Sequence, residues 1–267
     1  MGAEIDQSVK RRRVFYIPGY DPIHPRRYRE LYRQESGDQA RSSGYQHGLK
    51  PKTNKGKYGW DVDAEIDDAH VNTQIEVLVG SDIVRVSMHN SIFATYAQLI
   101  HTAWVYIGSG ALWRLMKLRK GPVIAALYPV GMLLLQLVIA VLIGVLAYAA
   151  LTYFGGPFWF KGIAAALCAV LGGAVLNWFK KRDGRFYAYY LMHDFAYGAA
   201  LRGANPPALE ARMTQFGAVI AEALKSDVDE VLIVGHSSGA HLGVSILADL
   251  MRAGLVPDKG PELGFLT

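Results

Sequence analysis

The dominant feature of the hydrophobic pattern is a long interval almost without charge. Between Gly121 and Phe179 the only Lys, Arg, Asp or Glu is Lys161. Val123 to Phe154 is uncharged throughout, well beyond the about 20 apolar residues that cross a bilayer. A second run, Gly162 to Phe179, is about the shortest that still reads as a span. Gly155-Gly156-Pro157 supplies a turn between them, so the two runs predict a transmembrane helical hairpin. Pro129 is expected to separate an interfacial lead-in from the first span, because proline removes an N–H and breaks helical continuity. Gly172-Gly173 is expected to let the helices approach closely. The other reading of the pair, a buried apolar hairpin inside a soluble core, fits poorly with so long an absence of charge.

Shorter patterns flank this interval. Val14 to Ile17 is a β-rich apolar run ending in Pro18-Gly19-Tyr20-Asp21, which reads as a buried strand followed by a tight loop. Pro25 to about Glu35 has helical spacing with proline in the first turn. Residues 36–57, rich in Gly, Ser, Lys and Asn, read as a solvated basic loop, and an acidic segment follows from Asp61 to Asp68. Gln74 to Val79 and Ile83 to Met88 read as two strands around Gly80-Ser81-Asp82. After the helix start Asn90-Ser91, the residues Ile92, Tyr96, Leu99, Ala103 and Ile107 recur at helical spacing. Ala111 to Lys120 mixes Trp113, Leu115 and Met116 with four basic residues, a composition suited to an anionic membrane surface. Beyond the hairpin, Arg185 to Arg202 and Pro207 to Lys225 read as helices. His193-Asp194 lies in the first of these, but neighbours on a helix point about 100° apart, so packing explains the pair better than acid–base work.

Charge then orients the hairpin. Arg114, Lys117, Arg119 and Lys120 precede the first span, and Lys180, Lys181, Arg182 and Arg185 follow the second. Basic flanks are retained on the cytoplasmic side, so both long segments and both termini are expected there. Tyr153, Trp159, Phe160 and Trp178 sit where aromatic belts are found. Two spans with no acidic residue or arginine inside them make a poor transporter, and a short outer turn makes a poor receptor. The wider composition adds exclusions: 51% apolar residues and one cysteine, Cys168, rule out a disordered chain and a disulfide scaffold. The start, MGAEIDQSVKRRR, lacks the apolar core of a secretory signal. The net charge of +5 is spread over loops and membrane flanks, and no nucleic-acid partner is expected.

The most specific motif lies near the C-terminus. Val231 to Val234 is strand-like, Gly235-His236-Ser237-Ser238-Gly239 follows at once, and Ala240 to Met251 is helical in spacing. This is strand, G-x-S-x-G, helix, the sequence form of a nucleophile elbow. Gly235 and Gly239 leave room for a sharp turn that lifts the Ser237 hydroxyl clear of a sheet. The Ser238 N–H, first in a new helix, can face a developing oxyanion.

With these residues the chain resembles the α/β-hydrolase family, specifically over 14–20 and 229–253. The resemblance implies an α/β fold with a partial, mostly parallel hydrolase-like sheet and flanking helices, interrupted by the hairpin. Residues 1–120 would be its N-terminal part, 121–180 the hairpin and 181–267 the C-terminal part with the elbow. It implies Ser237 as nucleophile, His236 lining the site, and Gly19 or Tyr20 as the second oxyanion donor beside Ser238, without cofactor or metal. In the family the acid and the histidine follow the serine. Here only His241, Asp249, Asp258 and Glu262 do so, and His241 lies one helical turn along, pointed away from the serine. Leu263 to Thr267 reads as the first of the family's later strands, so the expectation is a hydrolase whose C-terminal part is missing.

Three functional readings follow. One is a membrane-anchored serine hydrolase acting on an ester or related acyl bond. Another is a non-catalytic hydrolase-like module that binds a partner or lipid at the inner membrane face, and the last is a hairpin protein with a cytosolic scaffold.

Overall fold

The computed structural model describes residues 9–52, 57–66, 69–88 and 91–267. In chain order the elements are β1 (Arg11–Ile17), α1 (Pro25–Ser43), β2 (Gln46–Pro51), β3 (Gly59–Ile66), β4 (Ala69–Val77) and α2 (Ser81–Ser87). The helices α3 (Ile92–Gly108), α4 (Ala111–Leu118), α5 (Lys120–Ala126), α6 (Tyr128–Thr152), α7 (Phe158–Lys181), α8 (Asp183–Phe186) and α9 (Ala188–Ala199) come next. The chain ends with α10 (Pro207–Ala223), β5 (Glu230–Gly235), α11 (Ser238–Arg252) and β6 (Glu262–Leu266). It divides into two compact units, Met1–Val86 with Pro206–Thr267, and Ser87–Asn205. Residues 87–120 and 181–205, assigned with the sheet from sequence, therefore share a unit with the hairpin.

The first unit is an α/β layer structure around a six-stranded sheet of order β2-β3-β4-β1-β5-β6. β4, β1, β5 and β6 run parallel, and β2 and β3 add an antiparallel edge. The central strand β1 buries Val14, Phe15 and Ile17, as a parallel strand covered on both faces must. On one face Phe15, Ile17, Val231 and Ile233 meet Met213, Phe216 and Ile220 of α10 and Ile246, Leu247 and Leu250 of α11. On the other, Val14, Trp60, Val62, Ile75 and Val77 meet Tyr28 and Tyr32 of α1. Right-handed crossovers demand this division: the β1-to-β4 connection moves one way along the sheet, and the connections into β5 and β6 move the other.

β1 starts at Arg11, three residues before the apolar run, because acids distant in sequence neutralise its arginines. Arg12 pairs with Glu230, its register partner on β5, and Arg13 Nη2 lies 2.7 Å from Glu76 on β4. Asp229 accepts from the N–H groups of Lys10 and Arg11 at 2.8 and 2.7 Å, and these backbone donors hold its carboxyl below the usual range.

Several expected boundaries are corrected. α1 runs through Gly37 to Ser43 and ends at Gly44, which takes φ 76°; it is held by short-range pairs, Arg33 with Glu30 and Arg41 with Asp38. The expected basic loop is thus the end of a helix and the strand β2, with residues 53–56 outside the described residues. Asp61 to Ile66 of the acidic segment lies in β3, and Asp67 and Asp68 lie outside the described residues. Ile83 to Met88, expected as a strand, falls mostly in α2: Gly80 C=O accepts from the Ile83 and Val84 N–H groups. Both terminal nitrogens of Arg212 bind the Asp82 carboxylate, and one of them also binds Val79 C=O at 2.6 Å. Asn90 of the expected helix start lies outside the described residues, while Ser91 caps α3 by accepting from the Ala94 N–H.

In the second unit, α6 and α7 are long and apolar enough to cross a membrane, and only 17% of the most apolar window of each is buried. A hairpin that exposed is not the covered core of a soluble domain. α5 and α6 break at Leu127, with Pro129 in the first turn of α6. Gly172 makes the expected close approach: a Cβ there would lie 3.3 Å from Ala140 C=O, and one on Gly144 would lie 3.2 Å from Cys168 C=O. Gly173 faces open space. α3 and α9 pack on the start of α6 through Leu99, Leu133, Ala188, Tyr189 and Met192.

Candidate functional site

Because β1 connects to β4 on one side and the chain returns to β5 on the other, the order of connections reverses between β1 and β5. In open α/β sheets the crevice at the carboxyl ends of such a pair is where ligands bind. The segments that emerge there are Pro18 to Asp21, after β1, and His236 to Gly239, after β5.

The second segment is strained and held on both sides. Ser237 adopts φ 57°, ψ −129°, a conformation that costs a non-glycine residue about 1–3 kcal/mol and persists only where neighbours enforce it. Here the His236 N–H donates to Ile17 C=O at 3.0 Å, the Gly239 N–H to His236 C=O at 2.9 Å and the Ala240 N–H to Ser237 C=O at 3.1 Å. Three glycines make the approach possible. A Cβ on Gly235 would lie 2.6 Å from Ala240 Cα, one on Gly19 would lie 2.6 Å from Gly239 N, and one on Gly239 would collide with Ile17 C=O. Gly19 also takes φ 79°. The result is a serine lifted clear of the sheet and open to solvent, as its spacing predicts.

The remaining expected residues gather around it. The Ser238 N–H opens α11 and, with the Gly19 N–H, makes no backbone hydrogen bond among the described residues. The Tyr20 N–H donates to Ser238 Oγ at 2.8 Å, so it is engaged in this structure. That bond, which the spacing does not reveal, ties the β1 loop to the turn. His236 is exposed and stacks on Tyr16, with ring centroids 6.4 Å apart. Asp21 accepts from Tyr28 Oη at 2.5 Å and from the Ile23 N–H at 2.8 Å. Burial and the Asp21 carboxylate raise the Tyr16 pKa. Tyr16, Asp21 and Tyr28 are additions to the residues named from sequence; the turn-forming Pro-Gly-Tyr-Asp string was their one local signal.

No side chain among the described residues hydrogen-bonds Ser237 Oγ. His241 is exposed on α11, His24 caps α1 by accepting from the Arg26 N–H, and His47 bonds Ser36. His89 lies outside the described residues. Among the described residues, no group of three or more His, Cys, Asp or Glu is placed to hold a metal ion.

The second unit holds the His193-Asp194 pair apart. His193 Nδ1 is 3.0 Å from Gln98 Oε1, and no ion pair joins it to Asp194. Burial raises the Asp194 pKa from its ordinary 3.8 to about 6. A carboxyl with a raised folded-state pKa contributes stability that is complete below the unfolded value and is lost as pH rises through the folded one. Asp194→Asn is therefore expected to raise the melting temperature at pH 7.5, with an advantage that shrinks between pH 6 and pH 4. Thermal melts across that range check the sign, and an advantage independent of pH contradicts it.

Compared with family models, curated proteins and solved structures, the chain matches none.

Proposed function

We propose that this chain is a membrane-anchored serine hydrolase of α/β-hydrolase type, acting on an ester or related acyl bond. The observation that carries the reading is the backbone of Ser237. A strained, glycine-hemmed turn presents its hydroxyl at the carboxyl end of β5, beside the loop from β1 at the reversal of strand order. Structural turns rarely keep such strain on a serine, whereas nucleophiles do. Ser237 Oγ attacks the acyl carbon, a step that needs a histidine base to take its proton, and no described residue supplies that base in this arrangement. The oxyanion is met by the Ser238 N–H with the Gly19 N–H as second donor, the Tyr20 N–H being held by Ser238 Oγ, and α11 adds its positive N-terminal end. The alcohol leaves with the proton, and water then hydrolyses the acyl-enzyme. A fluorophosphonate probe added to the protein in its own membrane is expected to leave an adduct on the peptide containing Ser237, located by mass spectrometry. An adduct confined to other residues removes the assignment.

A second reading, a hydrolase-like module that binds without catalysis, draws on two features: no base among the described residues touches Ser237, and the Tyr20 N–H is bound to Ser238 Oγ. It requires the Ser237 peptide to stay unlabelled.

The hairpin α6–α7 anchors the protein in this proposal, with both flanks cytoplasmic. Reporter fusions after Lys120 and after Arg185 are expected to read inside, and one at Gly156 outside. An outside reading at either basic flank overturns the orientation.

A further inference from the structure

We propose that α3 and α4, which lie outside the hairpin, rest in the interfacial layer of an anionic bilayer and form a shelf beside the anchor.

α3 is apolar on two faces. Thr95, Leu99 and Thr102 are buried, with Leu99 packed against α9 and the start of α6. On the other side Phe93, Ala97, Ile100, Trp104 and Ile107 follow one another at steps of four and three, a single helical stripe. Phe93 is 84% exposed, Ile100 69% and Trp104 76%. From Ser91 to Trp113 there is no Asp, Glu, Lys or Arg, so the stripe lacks the polar rim that frames a protein-binding face. Apart from the exposed His101 on its flank, α3 carries apolar surface on both its packed and its uncovered sides, and such a helix belongs in a core or in contact with lipid.

Its level along the hairpin selects lipid. Tyr96 Oη donates to Leu133 C=O at 2.9 Å, and Tyr128 Oη donates to Phe186 C=O at 2.8 Å. These bonds set α3 beside the first turns of α6, at the end where α7 gives way to α8. Both basic clusters lie at that end: Arg114, Lys117, Arg119 and Lys120 before α6, and Lys180, Lys181, Arg182 and Arg185 after the second span. α6, with its 25 residues, is about 37 Å long, longer than the roughly 30 Å hydrocarbon core, so its first turns reach headgroup level. α4 has the composition for the same layer. None of its residues is buried, Trp113, Leu115 and Leu118 are exposed, and Arg114 and Lys117 share a face. Asp194 and His193 on α9, packed along α3, keep that pair out of the hydrocarbon.

The inference rests on the hairpin crossing the bilayer, and the test separates the two. Single spin labels are placed at Phe93→Cys, Ile100→Cys, Trp104→Cys, Leu142→Cys and Arg33→Cys in a Cys168→Ser background. The full chain is reconstituted in vesicles of phosphatidylcholine with phosphatidylglycerol. Relative to Arg33→Cys, the three α3 labels are expected to show several-fold lower accessibility to a water-soluble nickel complex and higher accessibility to oxygen. Their depths should be similar and shallow, and Leu142→Cys should be deeper. α3 labels as nickel-accessible as Arg33→Cys, with Leu142→Cys still deep, overturn the shelf and leave the anchor standing. Depth rising steadily from position 93 to 104 overturns it in favour of a third span. Spin–spin broadening that disappears on dilution with unlabelled chain overturns it in favour of self-association. A Leu142→Cys label in water overturns shelf and anchor together.

Discussion

Ser237→Ala is expected to abolish fluorophosphonate labelling and to lower turnover of short acyl esters by about 10⁴- to 10⁶-fold in the protein taken from its own membrane, leaving only what binding and oxyanion contacts supply. No other side-chain truncation in the crevice should approach that. Ser238→Ala keeps the backbone N–H proposed to meet the oxyanion, so the nucleophile survives. It removes the acceptor of the Tyr20 N–H, and its cost should be that of one hydrogen bond in stability, about 1 kcal/mol, with turnover changed far less than by Ser237→Ala. The ratio of the two effects separates a nucleophile from a serine that merely completes a turn. Labelling that survives Ser237→Ala would leave the binding-module reading in front.

The second large effect is structural. Gly239→Ala places a methyl group against Ile17 C=O and 2.8 Å from Gly19 N. Both neighbours are backbone, one at the end of the central strand and one in a loop with positive φ, so neither can rotate aside. Overpacking into flexible side chains costs about 1–3 kcal/mol; against backbone we expect about 3 kcal/mol or more, seen as loss of the cooperative melt or rapid proteolysis of the sheet unit. Gly48→Ala on the edge strand β2, with open space around it, is the control and should change stability by less than about 1 kcal/mol. Equal stability of the two variants would mean that β1 and the turn do not approach as described.

The turn and the hairpin were legible in the sequence because each is specified by residues adjacent in the chain. A strand, two glycines around a serine and a helix start occupy consecutive positions from Val231 onward, and chain geometry allows little else there. The hairpin announces itself by two charge-free lengths joined by the turn at Gly155-Gly156-Pro157. The apolar run at Val14 likewise marks the central strand, since burial on both faces leaves no alternation to obscure it.

Other features depend on partners far away in sequence, and the tertiary structure alone decides them. In the sequence Arg11 to Arg13 stand outside the apolar run at Val14, yet Asp227, Glu230 and Glu76, brought from distant segments, neutralise them and extend β1. Val84 and Val86 favour a strand by propensity, yet Arg212, held on α10, binds Asp82 and Val79 and the segment closes as α2. α3 displayed one apolar stripe to a reading tuned to a single core face. Only packing shows that Leu99 uses one side while Phe93, Ile100 and Trp104 are left over. The engagement of the Tyr20 N–H by Ser238 Oγ joins residues 218 positions apart. Local chemistry determined where an exposed serine turn and a long apolar hairpin can stand; the long-range pairing of charges and surfaces, which no window of sequence contains, decided what surrounds them.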